Sequence, residues 1–289
     1  MSVVATHPRR FASLVKIEHT VFALPFAYVG AFLGVGIVPP ARDLVWITLA
    51  MVGARSLAMA LNRLIDAEID ARNPRTAGRE LPAGRLTKAQ VMLFCLASLA
   101  LFLIAVWQLE PICRWLWPIP VAAFVVYPYL KRVTWLAHLW LGAVDGLAPV
   151  GGWVALRGDL PWQAWALGGA VAAWVAGFDL FYSLFDVEVD RAQGLHSWAT
   201  RWGERGVFRG ARVLHLLTVW LLAAAGAGTD AGVGLLYWIG VAVVAGLLSY
   251  EHSLVRPGDL RRLDAAFFTM NGVISVTFFG FVLADVLVR

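Results

Sequence analysis

Apolar residues run through this chain in long blocks, separated by short polar stretches. A membrane-crossing helix needs about 20 such residues. Blocks of that order fall at about 17–38, 45–66, 89–109, 114–130, 134–156, 162–185, 207–228, 232–250 and 264–288. The pattern predicts an all-α, polytopic membrane protein with nine transmembrane helices around a cavity, the fourth being short. The start of the chain is polar and basic, and the first block continues at spanning length, so no cleavable leader is expected. The chain reads as a single transmembrane domain over 1–289, without a low-complexity tail.

Two polar interruptions share one design. The second block ends in Asn62-Arg-Leu-Ile-Asp66-Ala-Glu68-Ile-Asp70, and the sixth in Asp179-Leu-Phe-Tyr182-Ser-Leu-Phe-Asp186-Val-Glu188-Val-Asp190. Asn62, Asp66 and Asp70 are four apart, as are Tyr182, Asp186 and Asp190, which stacks each set on one helix face. The motifs lie 120 residues apart (186 minus 66). Each opens a polar loop, from Ala71 to about Lys88 and from Arg191 to about Gly206. This echo predicts two halves facing each other across one site.

Composition agrees with a membrane protein: 60% hydrophobic, 15% charged, mean hydropathy +0.71. Soluble domains carry about 25% charged residues. A net charge of +5 raises the question of nucleic acid. The bases instead gather on alternate loops, around Arg9–Lys16, Arg72–Lys88, Lys131–Arg132, Arg191–Arg209 and Arg256–Arg262. That asymmetry is a topology signal, which puts these loops and both acidic motifs on the cytoplasmic side of the cell inner membrane. It argues for the lipid bilayer, and not nucleic acid, as the chain's environment. Cys95 and Cys113 lie in or beside apolar helices, so no disulfide framework is expected.

Several carboxylates on one face of a membrane helix are costly unless a cation sits among them. A divalent metal holding a phosphate fits, since Mg²⁺ commonly uses one or two carboxylates plus phosphate oxygens. Asp66, Asp70, Asp186 and Asp190 are the candidate Mg²⁺ ligands. Asn62 is a candidate contact to metal or phosphate. Asp179, on the same face as Asp186 and deeper, is placed to orient Tyr182 or meet the metal shell. The competing reading is a set of solvated helix ends or interhelical salt bridges. Lys131 and Arg132, with the first-loop bases Arg72, Arg75, Arg79 and Arg85, suit a departing phosphate. Tyr182 is a candidate to face an allylic cation. Arg55 is an intramembrane cation with two readings: an ion pair with Asp145 or Asp179, or a clamp on a substrate carboxylate or phosphate. Glu18 and His19 open the first block, either as acceptor contacts or at the interface. His138, Asp145 and Asn271 are expected to bond helix to helix.

These residues resemble the UbiA superfamily of membrane prenyltransferases. The likeness rests on Asn62-x-x-x-Asp66-x-x-x-Asp70, the loop Arg75-Thr-Ala-Gly-Arg79-Glu-Leu-Pro82-Ala-Gly84, Tyr127-Pro-x-x-Lys131-Arg132 and the second Asp-rich motif. The resemblance implies nine helices around a cavity open sideways to lipid. It also implies Mg²⁺-dependent transfer of a prenyl chain from a polyprenyl diphosphate to an acceptor. By that resemblance Asn62, Asp66, Asp70, Asp186 and Asp190 bind Mg²⁺–diphosphate, steadied by Arg72, Lys131 and the loop bases. Lys16-Ile-Glu18-His19 to Tyr28, Gly177 to Tyr182, Gly194 to Ser197 and Phe268 to Gly272 look like the 4-hydroxybenzoate polyprenyltransferase-like group. That group implies a phenolic aromatic acid acceptor in ubiquinone or menaquinone biosynthesis. The candidates are 4-hydroxybenzoate and 1,4-dihydroxy-6-naphthoate, either suiting a carboxylate contact from Arg55 or His19. The Glu18-His19 opening departs from the 4-hydroxybenzoate enzymes and favours the naphthoate or a related acid. Asp186 or the diphosphate is expected to collect the proton. The rival class is a secondary transporter of an anionic substrate.

Overall fold

The computed structural model describes residues 14, 20–230, 232–255 and 270–289. Glu18, His19 and the bases Arg256, Arg261 and Arg262 lie outside them. The described chain forms α1 (Thr20–Val35), α2 (Ala41–Ile65), α3 (Ala67–Arg72), α4 (Lys88–Val106) and α5 (Cys113–Leu116). It continues with α6 (Pro118–Leu130), α7 (Ala137–Arg157), α8 (Trp162–Tyr182), α9 (Val187–Ala192), α10 (Trp198–Gly228), α11 (Leu235–Leu254) and α12 (Asn271–Val288). No strand occurs among these residues. Seven of the helices are long and apolar enough to cross a membrane: α2, α4, α7, α8, α10, α11 and α12. With the shorter apolar α1 and α6, they answer one for one to the nine expected spans. The short fourth span is α6, prefaced by the single turn α5.

The helix ends follow local chemistry. Pro118 opens α6, where its missing N–H costs nothing. Gly158 ends α7 in the left-handed region (φ 74°). Thr87 with Gln90 and Ser197 with Thr200 form capping boxes at α4 and α10. The second box corrects an expectation. The polar loop after Asp190 does not reach Gly206; α10 begins at Trp198 and kinks at Gly203 (φ 64°). Reciprocal capping starts the helix early, and Trp198 packs edge-on to Trp135 and tilted against Trp202 to hold it.

Helix α8 is the central post, buried along most of its length between α7 and α10. Small residues let the backbones close in. A side chain at Gly30 of α1 would strike Pro149 of α7, and one at Gly152 would strike Ala27. Gly146 and Gly168 meet in the same way between α7 and α8. Helices α12, α11 and α10 complete the wall from α1 back to α8, while α2 packs on α4 and α6. Buried Asp285 of α12 accepts from the backbone N–H groups of Gly234 (2.9 Å) and Tyr237 (3.2 Å), satisfying the start of α11. Enclosed mainly by α1, α2, α4, α6, α7 and α8 is a cavity of about 510 Å³.

Candidate active site

Each acidic motif sits on a break in its helix. Asp66 (φ −93°, ψ 5°) ends α2, and α3 resumes beyond it. Asp186 (φ −106°, ψ 0°) follows a 3₁₀ turn, Ser183–Phe185, and α9 resumes beyond it. An unbroken helix through either motif is thus not what forms. The spacing survives the break: Asp70 N–H donates to the Asp66 carbonyl (2.8 Å) and Asp190 N–H to that of Asp186 (2.7 Å). Both turns line the one cavity.

The carboxylates are held by cations drawn from three parts of the chain. Asp66, 1% exposed, meets Lys131 Nζ at 2.6 Å and Arg132 at 3.4 Å, and accepts from Asn62 at 3.1 Å. Asp70, 4% exposed, takes Arg79 on both oxygens at 2.7 Å. Asp186 accepts from Asn73 (3.0 Å) and from two nitrogens of Arg75. The Arg75 guanidinium lies 5.2 Å from the centre of the Tyr182 ring and donates to its hydroxyl at 3.3 Å. The loop after the first motif therefore reaches across and ties down the second.

Charge settles unevenly at the mouth. Burial alone would raise the Asp186 carboxyl, but the hydrogen bonds from Arg75 and Asn73, with the Arg75 charge, hold it below the usual carboxylate range. Burial would likewise lower Arg75; its contacts with Asp186 raise it instead. Asp190 is pushed up, by burial first and then by the Asp186 charge, against weaker pulls from Ser197, Lys131 and His138.

Deeper in the cavity lie two further charge pairs. Arg55 meets Asp145 at 2.8 Å, so the first of its two ion-pair readings is the one formed. Arg55 Nε, buried, has no partner among the described residues. Asp179 meets His138 Nδ1 at 2.6 Å, a contact with neither Tyr182 nor the metal shell. Below them the wall turns apolar, through Phe102, Val106, Leu116 and Trp117 to Trp165.

Two sequence expectations change. Arg72 is exposed and does not line the cavity; it lies on the outer side of α3, whereas Asp70 faces in. The four aspartates do not form one ligand shell: among the described residues no group of three or more metal-binding side chains comes together. Asp66, Asp70 and Asp186 are each drawn to their own cation. The donor set nonetheless fits Mg²⁺ held by one or two carboxylates at a time with phosphate oxygens completing the shell. Sequence reasoning overlooked Asn73, and also Arg63, which is 6% exposed and lines the cavity beside Asp70. The signal for Asn73 was available, since Asn-Pro after a helix end marks a turn.

Fold and site define a polytopic helical membrane protein with an acidic mouth over an apolar cavity. The profile of the UbiA prenyltransferase family matches residues 23–273, and the chain belongs to that family. It is a multi-pass membrane prenyltransferase. It is similar to a 4-hydroxybenzoate octaprenyltransferase of Cupriavidus necator, 31% identical over 84% of each chain. Another from Vibrio campbellii is 29% identical over 96% of this chain and 94% of the relative. Among solved structures, a UbiA homolog from Aeropyrum pernix in its apo form superposes with a TM-score of 0.84 at 32% identity, covering 93% of this chain and 98% of that one. A UbiA homolog from Archaeoglobus fulgidus, bound to GPP and Mg²⁺, shares the fold (TM-score 0.76, 19% identity, covering 96% and 99%).

Proposed function

We propose that the protein transfers a polyprenyl chain from its diphosphate to a phenolic aromatic acid, with Mg²⁺ as cofactor, in quinone biosynthesis. The observation that carries this is two acid turns, each matched with cations, opening on one cavity that is apolar beyond them. The relatives' names support 4-hydroxybenzoate as the acceptor, and the neighbour bound to GPP and Mg²⁺ supports the donor and the metal. Those names put 4-hydroxybenzoate first; the Glu18-His19 departure, which lies outside the described residues, keeps 1,4-dihydroxy-6-naphthoate second.

The diphosphate sits at the mouth. Asp66, Asp70, Asp186 and Asp190 serve as metal ligands, and Asn62 as a polar contact. Mg²⁺, when bound, offsets the charge between carboxylates and diphosphate and stabilises the leaving oxygen. Lys131, Arg132, Arg75 and Arg79 would meet the phosphate oxygens, where charge grows as the allylic C–O bond breaks. The ring of Tyr182 faces the allylic cation, and the apolar wall keeps water from it. The prenyl tail lies along Phe102, Val106 and Trp117. Arg55, anchored by Asp145, takes the acceptor carboxylate. The clustering of bases on alternate loops supports a mouth on the cytoplasmic side of the inner membrane.

The test is turnover of labelled polyprenyl diphosphate by protein in lipid nanodiscs, with each acid supplied and products identified by mass spectrometry. Prenylated acid is expected, abolished by EDTA and restored by Mg²⁺. Undiminished turnover in EDTA, or in Asp66→Ala and Asp186→Ala, refutes the reading.

A further inference from the structure

Neither His138 nor Asp179 is among the residues assigned above to the metal or the diphosphate. His138 stands on the first turn of α7 and Asp179 on the last turn of α8. Both line the cavity, with side chains 12% and 18% exposed. The 2.6 Å contact runs from Nδ1 to a carboxylate oxygen. With the imidazole neutral, the proton in this contact sits on Nδ1 and Nε2 carries the lone pair. Nε2 is buried and has no hydrogen-bond partner among the described residues. A buried polar atom left unpaired in the wall of a cavity is one that a ligand can satisfy. A carboxylate orienting an imidazole whose other nitrogen is free is the arrangement of a general base.

Depth along the helices agrees. Asp145 lies seven residues beyond His138 on α7, about 10 Å of rise and close to two turns. Arg55, bonded to Asp145, is therefore the deeper group, and His138 lies nearer the mouth. A rigid aromatic ring with a carboxylate at one end and a hydroxyl at the other matches that order. The oxygens of Asp186, the expected proton acceptor, are already taken up by Asn73 and Arg75.

We infer that His138, oriented by Asp179, is the base that takes the phenolic proton of the acceptor; this rests on the prenyl-transfer reading above. The step balances. Nε2 takes the hydroxyl proton, leaving a phenoxide. The allylic C–O bond breaks, its electron pair leaving with the diphosphate. A ring carbon ortho to the oxygen forms the new C–C bond, giving a dienone. Loss of the ring proton from that carbon to diphosphate restores aromaticity, and the imidazolium returns its proton to the oxygen. His138 is a catalytic residue and Asp179 a positioning residue.

The test uses full-length protein in nanodiscs, 4-hydroxybenzoate and ring-fluorinated analogues with a more acidic hydroxyl. His138→Gln is expected to lower kcat about a hundredfold or more with the donor KM little changed. Its deficit shrinks as the acceptor hydroxyl becomes more acidic, a trend that a packing role would not produce. Asp179→Asn, nearly isosteric, shows a smaller deficit with the same trend, and stands in should His138→Gln fail to fold. Either variant turning over like wild type, or losing the same factor on every acceptor, overturns the assignment while leaving prenyl transfer intact. A wild-type protein that prenylates none of these acids overturns both.

Discussion

The two acid turns share a backbone and differ in their partners. Both place an aspartate at a helix break and a second one turn later. The first turn is closed: Asp66 and Asp70 are almost wholly buried, and Lys131, Arg132 and Arg79 match their charge. The second is half-buried: Asp186 borrows Arg75 and Asn73 from the first motif's loop, and Asp190 is raised by burial first and then by the carboxylate beside it. Similar spacing in sequence has produced one almost wholly buried turn and one half-buried turn. The contrast is one of pairing: the first turn draws its cations from the α6 end and its own loop, and the second depends on the first motif's loop.

If that contrast is right, Asp66→Ala has the largest effect. It strands Lys131 and Arg132, so transfer falls by about a thousandfold and unfolding is easier by about 3–5 kcal/mol, the usual result of breaking a buried pair. Product formation and thermal melting in nanodiscs measure the two. Asp186→Asn comes next, with a loss of about a hundredfold in turnover and a lower melting temperature. A carboxyl depressed in the fold contributes stability above its unfolded pKa and loses it as pH falls through the folded value. The melting gap between wild type and Asp186→Asn should therefore close on acidification; a gap independent of pH breaks the comparison. Asn73→Ala removes one bond to Asp186 and is expected to raise the donor KM about tenfold with kcat nearly kept, read from donor titrations.

Asp190→Asn separates the turns most finely. A carboxyl raised in the fold favours the folded state below its unfolded pKa, an advantage lost as pH rises through the folded value. At neutral pH the variant should therefore melt slightly higher than wild type in EDTA, while turning over more slowly in Mg²⁺. A lower melting temperature in EDTA would show that Asp190 is clasped like Asp66. Arg72→Ala, on the exposed side of α3, should leave both rate and melting within about twofold and a degree or so, as surface changes usually do.

Much of this was legible along the chain. The spans, the paired acid motifs and the choice of Asp145 or Asp179 as a partner for Arg55 follow from hydropathy, spacing and the cost of a lone charge in lipid. The breaks at Asp66 and Asp186 were not, because i,i+4 spacing is the same in a straight helix and in one that restarts. Nor were the partners of Asp179 and Asp186. His138 lies 41 residues from Asp179, and Asn73 lies 113 from Asp186, with nothing local to link either pair.

Composition and periodicity by themselves decided that the chain lies in a membrane as a helical bundle, since lipid leaves apolar helices few alternatives. They also decided that two acid sets exist, because spacing is a one-dimensional property. Which cation meets which carboxylate, and which imidazole nitrogen is left free, was decided only when α6, α7 and α8 and the loop after α3 closed round one cavity. Pairing energies depend on separations of a few ångströms, and residues far apart in sequence acquire such separations only through packing.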